Sequence, residues 1–229
     1  MSTASAGFDR RAAVTRSLLG WGVVAGPFYV LVGVVLALTR QGFHLSEHAL
    51  SLLMLGEFGW MQRLNLILTA LMVLAAAWGF LRAIRNGRGL AVAVLVGVYG
   101  ICLVLSAVFP PDPVPGFPPG SEGGAASVSG ILHLIFGALG FAALAAAAFA
   151  YAGWCRAIGA RTHAVWATVL GVIVLIGFFG GAAFAMIPLG VLLLWISVLA
   201  GLSWLALASS HVYAWTPHPV RAQRTPSRV

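Results

Sequence analysis

The chain has 229 residues, of which 61% are hydrophobic and only 8% charged, and its mean hydropathy is +0.99. A water-soluble domain carries roughly 25% charged residues, so a soluble enzyme or soluble binding module is excluded. The net charge of +8 does not mark a nucleic-acid partner, because every basic residue is an arginine in a short cluster between apolar runs, the pattern of the positive-inside rule.

Residues 1–16 are small, polar and basic, and are expected as a cytoplasmic tail, unstructured or lying at the membrane surface. The first apolar run, Ser17 to Thr39, reaches the roughly 20 residues that a helix needs to cross a bilayer. It is too long for a signal-peptide core and has no small-x-small exit before Arg40, so it reads as a span. Pro27 lies inside it.

Residues 40–62 form a loop with structure of its own. Ser46 can cap a short helix, Glu47 suits its first turn, and Leu45 and Leu50 are spaced as a staple across the cap. The expectation is a short helix lying at the membrane interface, turned back by Gly56 to Trp60.

The second span is read from Arg63 to Ile84, with Gln62, Asn65 and Thr69 sharing one face at its start. The third runs from Gly89 to Phe109. A polar stretch from Phe109 to Gly120 follows and holds six of the eleven prolines, which suggests a rigid cap. The fourth span runs from Val128 to Gly153. Residues 164–210 contain no acid or arginine, enough for two spans, with the break expected at Ala185 to Gly190. The domain plan is a tail to residue 16, a six-helix membrane domain over 17–210, and a basic cytoplasmic tail over 211–229. The fold class is all-α, a polytopic membrane protein with a short outer interfacial helix.

Cys102 and Cys155 fall at different depths and read as small buried hydrophobes. The glycines 171, 177, 180 and 181 and the alanine run 142–148 suggest close helix packing. The eight tryptophans, mostly near span ends, read as interface anchors.

With six spans, eleven of the thirteen arginines fall on the side of the two termini, leaving Arg40 and Arg63 opposite. The opposite side also holds Glu47, Glu57, Asp112 and Glu122. Both termini are therefore expected in the cytoplasm, in a multi-pass protein of the cytoplasmic membrane.

The polar residues that a bilayer holds at a cost converge on the outer side. They are His48, Ser51, Asn65, Ser106, Asp112 and His133, and an ionisable residue inside a span is a candidate functional group. Four readings stand. His48, His133 and Asp112 are ligand types for a metal, but no compact ligand motif accompanies them. Ser51 or Ser106 with His133 and Asp112 could form a hydrolase at the outer leaflet, but no nucleophile elbow is present. The third is a structural knot, with His133 bonded to Asn65 or a loop carbonyl, and Asp112 paired with Arg63 or capping the fourth helix. The fourth is a pocket for a lipid, small molecule or partner protein, or a transport site; no acid lies at mid-membrane, which speaks against transport. No catalytic residue, resident metal or cofactor is assigned. Membrane lipids are the expected partners, nucleic acid is not, and the oligomeric state is open.

The segments His48 to Leu53, Gly59-Trp60, Gln62 with Asn65, Phe109 with Asp112-Pro113, Gly116 to Gly120, and His133 together resemble the bacterial membrane family named domain of unknown function 998. The resemblance extends over about residues 17–210, the last two spans matching only in hydrophobicity. Leu66 and Thr69-Ala70 stand where the family typically has an aromatic residue and Thr-Gly. The resemblance implies a six-span bundle and no established activity, catalytic residue or cofactor.

Overall fold

The computed structural model describes residues 8–220. Six α-helices follow one another: α1 (Arg10–Thr39), α2 (Gly59–Ala83), α3 (Gly87–Val108), α4 (Val128–Ala157), α5 (Arg161–Ala183) and α6 (Pro188–Trp215). All six are long and apolar enough to cross a membrane. The all-α, six-span architecture is present, and the break in the uncharged stretch falls between Ala183 and Pro188.

The helix starts follow from local chemistry. The Asp9 carboxylate accepts from the main-chain N–H groups of Arg11, at 2.8 Å, and Ala12, at 3.1 Å, satisfying donors that a helix N-terminus leaves free. Asn86 does the same for α3 through Gly89 N at 2.9 Å. Pro188 opens α6 at a position where its missing N–H costs nothing. The Asp9 cap starts α1 inside the expected N-terminal tail, so residues 10–16 are helical. Likewise α6 continues through His211 to Trp215. The rest of the two expected tails, residues 1–7 and 221–229, lies outside the described residues.

Each helix packs on its neighbours in sequence, and α6 returns to α1, closing a ring. The seam between first and last helix is stitched at the terminal end. Asp9 N donates to Pro219 O at 2.9 Å. Arg16 Nη1 donates to the carbonyls of Tyr213, at 3.1 Å, and Thr216, at 2.8 Å, with its guanidinium over the Tyr213 ring. Both ends of the described chain therefore meet at one end of the bundle, the terminal end. The other is the capped end.

The centre of the terminal half is filled, and a cavity of about 570 Å³ lies at its rim among Asp9, Arg11, Arg82 and Trp215. Trp154, Trp204, Tyr151, Phe80, Leu19 and Leu205 are buried at its centre among Ala147, Ala148, Ala152 and Ala208. Small residues let the backbones approach, and packing contacts then hold helices that lipid could otherwise solvate equally well. Two of the eight tryptophans thus depart from the expected role of interface anchors. Trp154 and Trp204 are core residues, whereas Trp21, Trp60, Trp78, Trp166 and Trp215 face outward. His211 accepts or donates a bond with the Tyr151 hydroxyl and stacks on His163, ring centroids 3.8 Å apart. Cys155 is buried in this half and Cys102 in the other, both as free thiols.

The short helix before α2 is present in a different form. It is a 3-10 helix, Leu50–Met54, and Ala49 before it is extended. Ser46 does not cap it. The segment is not an amphipathic helix lying flat: Leu50, Leu52, Leu53 and Met54 are all buried against α1 and α2. Four buried leucine and methionine side chains in five residues suit a tight three-residue turn inserted into the bundle mouth better than one α-helical face.

Candidate functional site

The proline-rich stretch and the loop before α2 close the capped end together. Val114 and Phe117 exchange main-chain hydrogen bonds at 3.0 and 3.1 Å, and Gly116 N donates to Ser121 O at 2.8 Å. Gly116 and Gly120 both have φ of +84°, a conformation that costs other residues strain. This tight fold aims Phe117 inward, where it is 1% exposed. Its ring meets Phe43 edge-on at 5.3 Å and His48 at 5.2 Å. The two loops are thus clamped by an aromatic cluster.

Asp112 ties the proline stretch to α4. Its carboxylate accepts from Ser127 N at 3.0 Å and from the Ser127 hydroxyl. The Ser127 oxygen in turn accepts from Gly130 N at 3.1 Å, capping α4. The hydroxyl donates one way and accepts the other, so the bonds reinforce one another. The hydroxyl and main-chain N–H of Ser127 hold the Asp112 carboxyl below the usual carboxylate range. Gly130 has no room for a Cβ, which would fall on that carboxylate. Of the two partners expected for Asp112, helix capping is the one observed and Arg63 is not.

His133 binds the other end of the stretch. Its Nδ1 lies 3.1 Å from Ser106 O and 2.9 Å from Phe109 O, the last carbonyls around the end of α3. Carbonyls only accept, so Nδ1 carries the proton and Nε2 keeps a lone pair. Of the two partners expected for His133, the ring takes the loop carbonyl, that of Phe109 just past α3, together with Ser106 O in the last turn of α3, and not Asn65. His48 is the opposite tautomer: its Nδ1 accepts from His44 N at 2.9 Å. Burial pushes the His48 imidazole below its ordinary value of 6.5; the Glu47 charge opposes that shift and His44 adds to it.

Asn65 is buried on α2, facing α1. Its Nδ2 donates to Tyr29 O at 3.2 Å and to Gln62 Oε1 at 3.1 Å, and Thr69 donates to Asn65 O at 2.8 Å. The expected polar face of Gln62, Asn65 and Thr69 is therefore a single buried row.

Beneath the cap lies a cavity of about 750 Å³. His48, Ser51, Ser106, Asp112 and His133 line it. Asn65 stands behind its wall and holds Gln62, which does line it. Below this rim the walls are apolar, with Leu66, Leu103, Phe141, Phe178, Trp195 and Leu202. Tyr29, Tyr99 and Cys102 also reach it and were missing from the sequence-derived cluster. Tyr29 follows Pro27 in an apolar run with no polar neighbour, so nothing local marked it. Gln62 was visible as the start of the α2 polar face.

The arrangement separates two kinds of polar residue. Asp112, Asn65 and the Nδ1 atoms of both histidines are engaged in building the cap. The Ser51 and Ser106 hydroxyls and His133 Nε2 remain for whatever occupies the cavity, while Gln62 accepts from Asn65 and donates to the Tyr29 hydroxyl at 3.5 Å. Among the described residues no three His, Cys, Asp or Glu side chains are placed to hold a metal ion. No histidine among them is hydrogen-bonded to a carboxylate or a serine hydroxyl; the one bonded to a side-chain hydroxyl is His211, with Tyr151, in the terminal half. No curated protein and no solved structure matches the chain. A family model described as protein of unknown function, DUF998, matches residues 23–211, which takes in all six helices from inside α1 to the last turns of α6, and the chain belongs to that family.

Proposed function

We propose that this protein is a multi-pass protein of the cytoplasmic membrane that binds an amphiphilic small molecule or lipid in the cavity beneath its cap. The arginine distribution supports an orientation with both termini in the cytoplasm and the cap on the far side. The observation that carries the binding reading is the contrast within one bundle. A cavity of about 750 Å³ is kept open between the helices below a hydrogen-bonded lid, while the centre of the terminal half is filled by Trp154, Trp204 and Tyr151 and a second cavity of about 570 Å³ lies only at its rim, among Asp9, Arg11, Arg82 and Trp215. The size of the cavity below the lid falls in the range of roughly 300–1,000 Å³ typical of ligand pockets, and an apolar wall with a few convergent polar groups is the usual make-up of such a site.

Mass spectrometry of protein released gently from its membrane tests this reading. Wild type is expected to carry a stoichiometric amphiphile, and the double variant Cys102→Leu with Ser106→Leu, which fills the cavity, is expected to lose it. Equal retention by both proteins would place the bound molecule elsewhere and sink the reading. For the orientation, Pro115→Cys is expected to react with a membrane-impermeant thiol reagent in intact cells. Reaction only after lysis would reverse it.

A further inference from the structure

We propose that the cavity is loaded sideways from the lipid, between the start of α4 and the turn joining α5 to α6, and that it selects a single-chain amphiphile with an uncharged or amine head. This rests on the binding reading above and adds a route and a ligand class to it.

The route follows from residues that face two ways. Leu134 on α4 and Met186 and Ile187 in the α5–α6 turn all line the cavity, yet they are 61%, 76% and 48% exposed on the outer surface of the bundle. Apolar side chains that belong to both surfaces mark an opening in the wall. Toward the terminal end the same seam is shut. Gly137 lets the Phe178 ring approach α4, and Phe178 stacks on Phe141 with centroids 4.5 Å apart. Over the centre of the cap Phe117, Leu53 and Met54 are each 1% exposed, and the exposed lining residues at the cap's edge are Glu47 and Pro115, so that side offers a charged rim and not an apolar one. The walls toward α1 and α2 are covered by the 3-10 helix. An opening rimmed by leucine, isoleucine and methionine admits an apolar chain from lipid without desolvation, whereas a hydrated solute would leave its water there at a cost.

The ligand class follows from charge and size. The lining holds two carboxylates, Glu47 and Asp112, and no arginine. A phosphate head would face like charge with no cation to pair it. A hydroxyl or amine head meets acceptors instead, among them the free lone pair of His133 Nε2 and the Ser106 and Ser51 hydroxyl oxygens. The volume of about 750 Å³ lies within the roughly 300–1,000 Å³ typical of small-ligand pockets, which suits one chain with a small head.

The native cysteines provide the test. Cys102 lines the cavity, and Cys155→Ser leaves it as the single thiol of the full chain, reconstituted in vesicles. A long-chain alkyl maleimide dissolved in the bilayer is expected to label Cys102 at least about tenfold faster than a charged, water-borne thiosulfonate, and the pair Leu134→Trp with Met186→Trp to slow it by about the same factor. Both positions are more than half exposed, so the larger side chain is tolerated there. A long-chain alcohol or primary amine is expected to protect Cys102, and the alkyl phosphate of equal length to protect it far less. Val198→Cys, in a background with both native cysteines changed to serine, repeats the measurement from α6. Faster labelling from water, or no effect of the tryptophans, overturns the lateral route and leaves the binding reading intact. Equal protection by the phosphate overturns the head-group assignment. Absence of protection by every amphiphile sinks the binding reading itself.

Discussion

The terminal and capped halves of this bundle use the same six helices and reach opposite ends. In the terminal half, alanine and glycine bring backbones together and two tryptophans fill the space that remains. In the capped half the helices are held apart at their mouth, and polar bonds to backbone groups work beside a buried apolar cluster of Phe43, Phe117 and Leu50 to Met54 that packs on one side of it. Asp112 caps α4 through Ser127, His133 grips the last carbonyls of α3, and Asn65 bonds a carbonyl of α1. Hydrogen bonds of this kind fix the ends of helices without filling the volume between them. The lesson is that a membrane bundle can combine a packed centre with a hollow mouth held by hydrogen bonds.

The comparison can be broken most directly at Trp204. Truncation to alanine opens a void in a full core, and Trp204→Ala is expected to cost about 3–5 kcal/mol, read as loss of monodisperse protein in detergent on heating. Trp204→Phe is expected to be mild by contrast, because the buried indole N–H has no partner to lose.

Enlarging small residues separates the halves next. Ala148→Leu, at a position 1% exposed in the terminal core, is expected to destabilise by about 1–3 kcal/mol through overpacking. Ser106→Leu, which points its extra atoms into the cavity and leaves the carbonyl that His133 uses, is expected to stay within about 0.5 kcal/mol of wild type. Equal costs for the two would show that the capped half is as tightly filled as the other.

Smaller again is the cap on α4. Ser127→Ala removes the acceptor of Gly130 N and one donor to Asp112, and is expected to cost about 1 kcal/mol. Because the Asp112 carboxyl titrates below its ordinary range when folded, its contribution is complete above that range and is lost as the pH falls through its own lowered value. Ser127→Ala is therefore expected to flatten the acid limb of a stability–pH curve.

The smallest effect concerns His48. Its folded value lies below 6.5, so the neutral ring stabilises the cap fully above pH 6.5, and the contribution fades as acid protonates it. Faster hydrogen exchange of residues 44–54 on going from pH 7 to pH 5, once corrected for intrinsic rates, is the expected sign. His48→Phe, which keeps the ring against Phe117, is expected to remove that pH dependence.

Much of this was legible in the chain because a bilayer is a demanding solvent. Backbone polar groups have no water to bond to there, so apolar runs of sufficient length must be helices. Run lengths therefore located all six helices, and the arginine-free stretch with a proline at residue 188 located the last break. The proline and glycine content of residues 109–120 likewise marked a structured loop, and the i, i+3, i+7 spacing of Gln62, Asn65 and Thr69 marked one face. Helix ends were less legible. A single capping carboxylate at Asp9 extended α1, and four buried apolar side chains turned the short helix inward as a 3-10 turn.

What the sequence by itself determined is the number of helices, their order, and the collection of His48, Ser51, Asn65, Ser106, Asp112 and His133 at one end of them. Tertiary structure alone decided what each of those residues does. Periodicity places a side chain on a face but does not name the atom opposite it. Only the ring closure of α6 on α1, the inward aim of Phe117 and the two carbonyls facing His133 divided the cluster into groups that hold the lid and groups left facing the cavity. The cavity is itself a property of six helices at once, because it is the volume they fail to fill, and no segment of the chain encodes it alone.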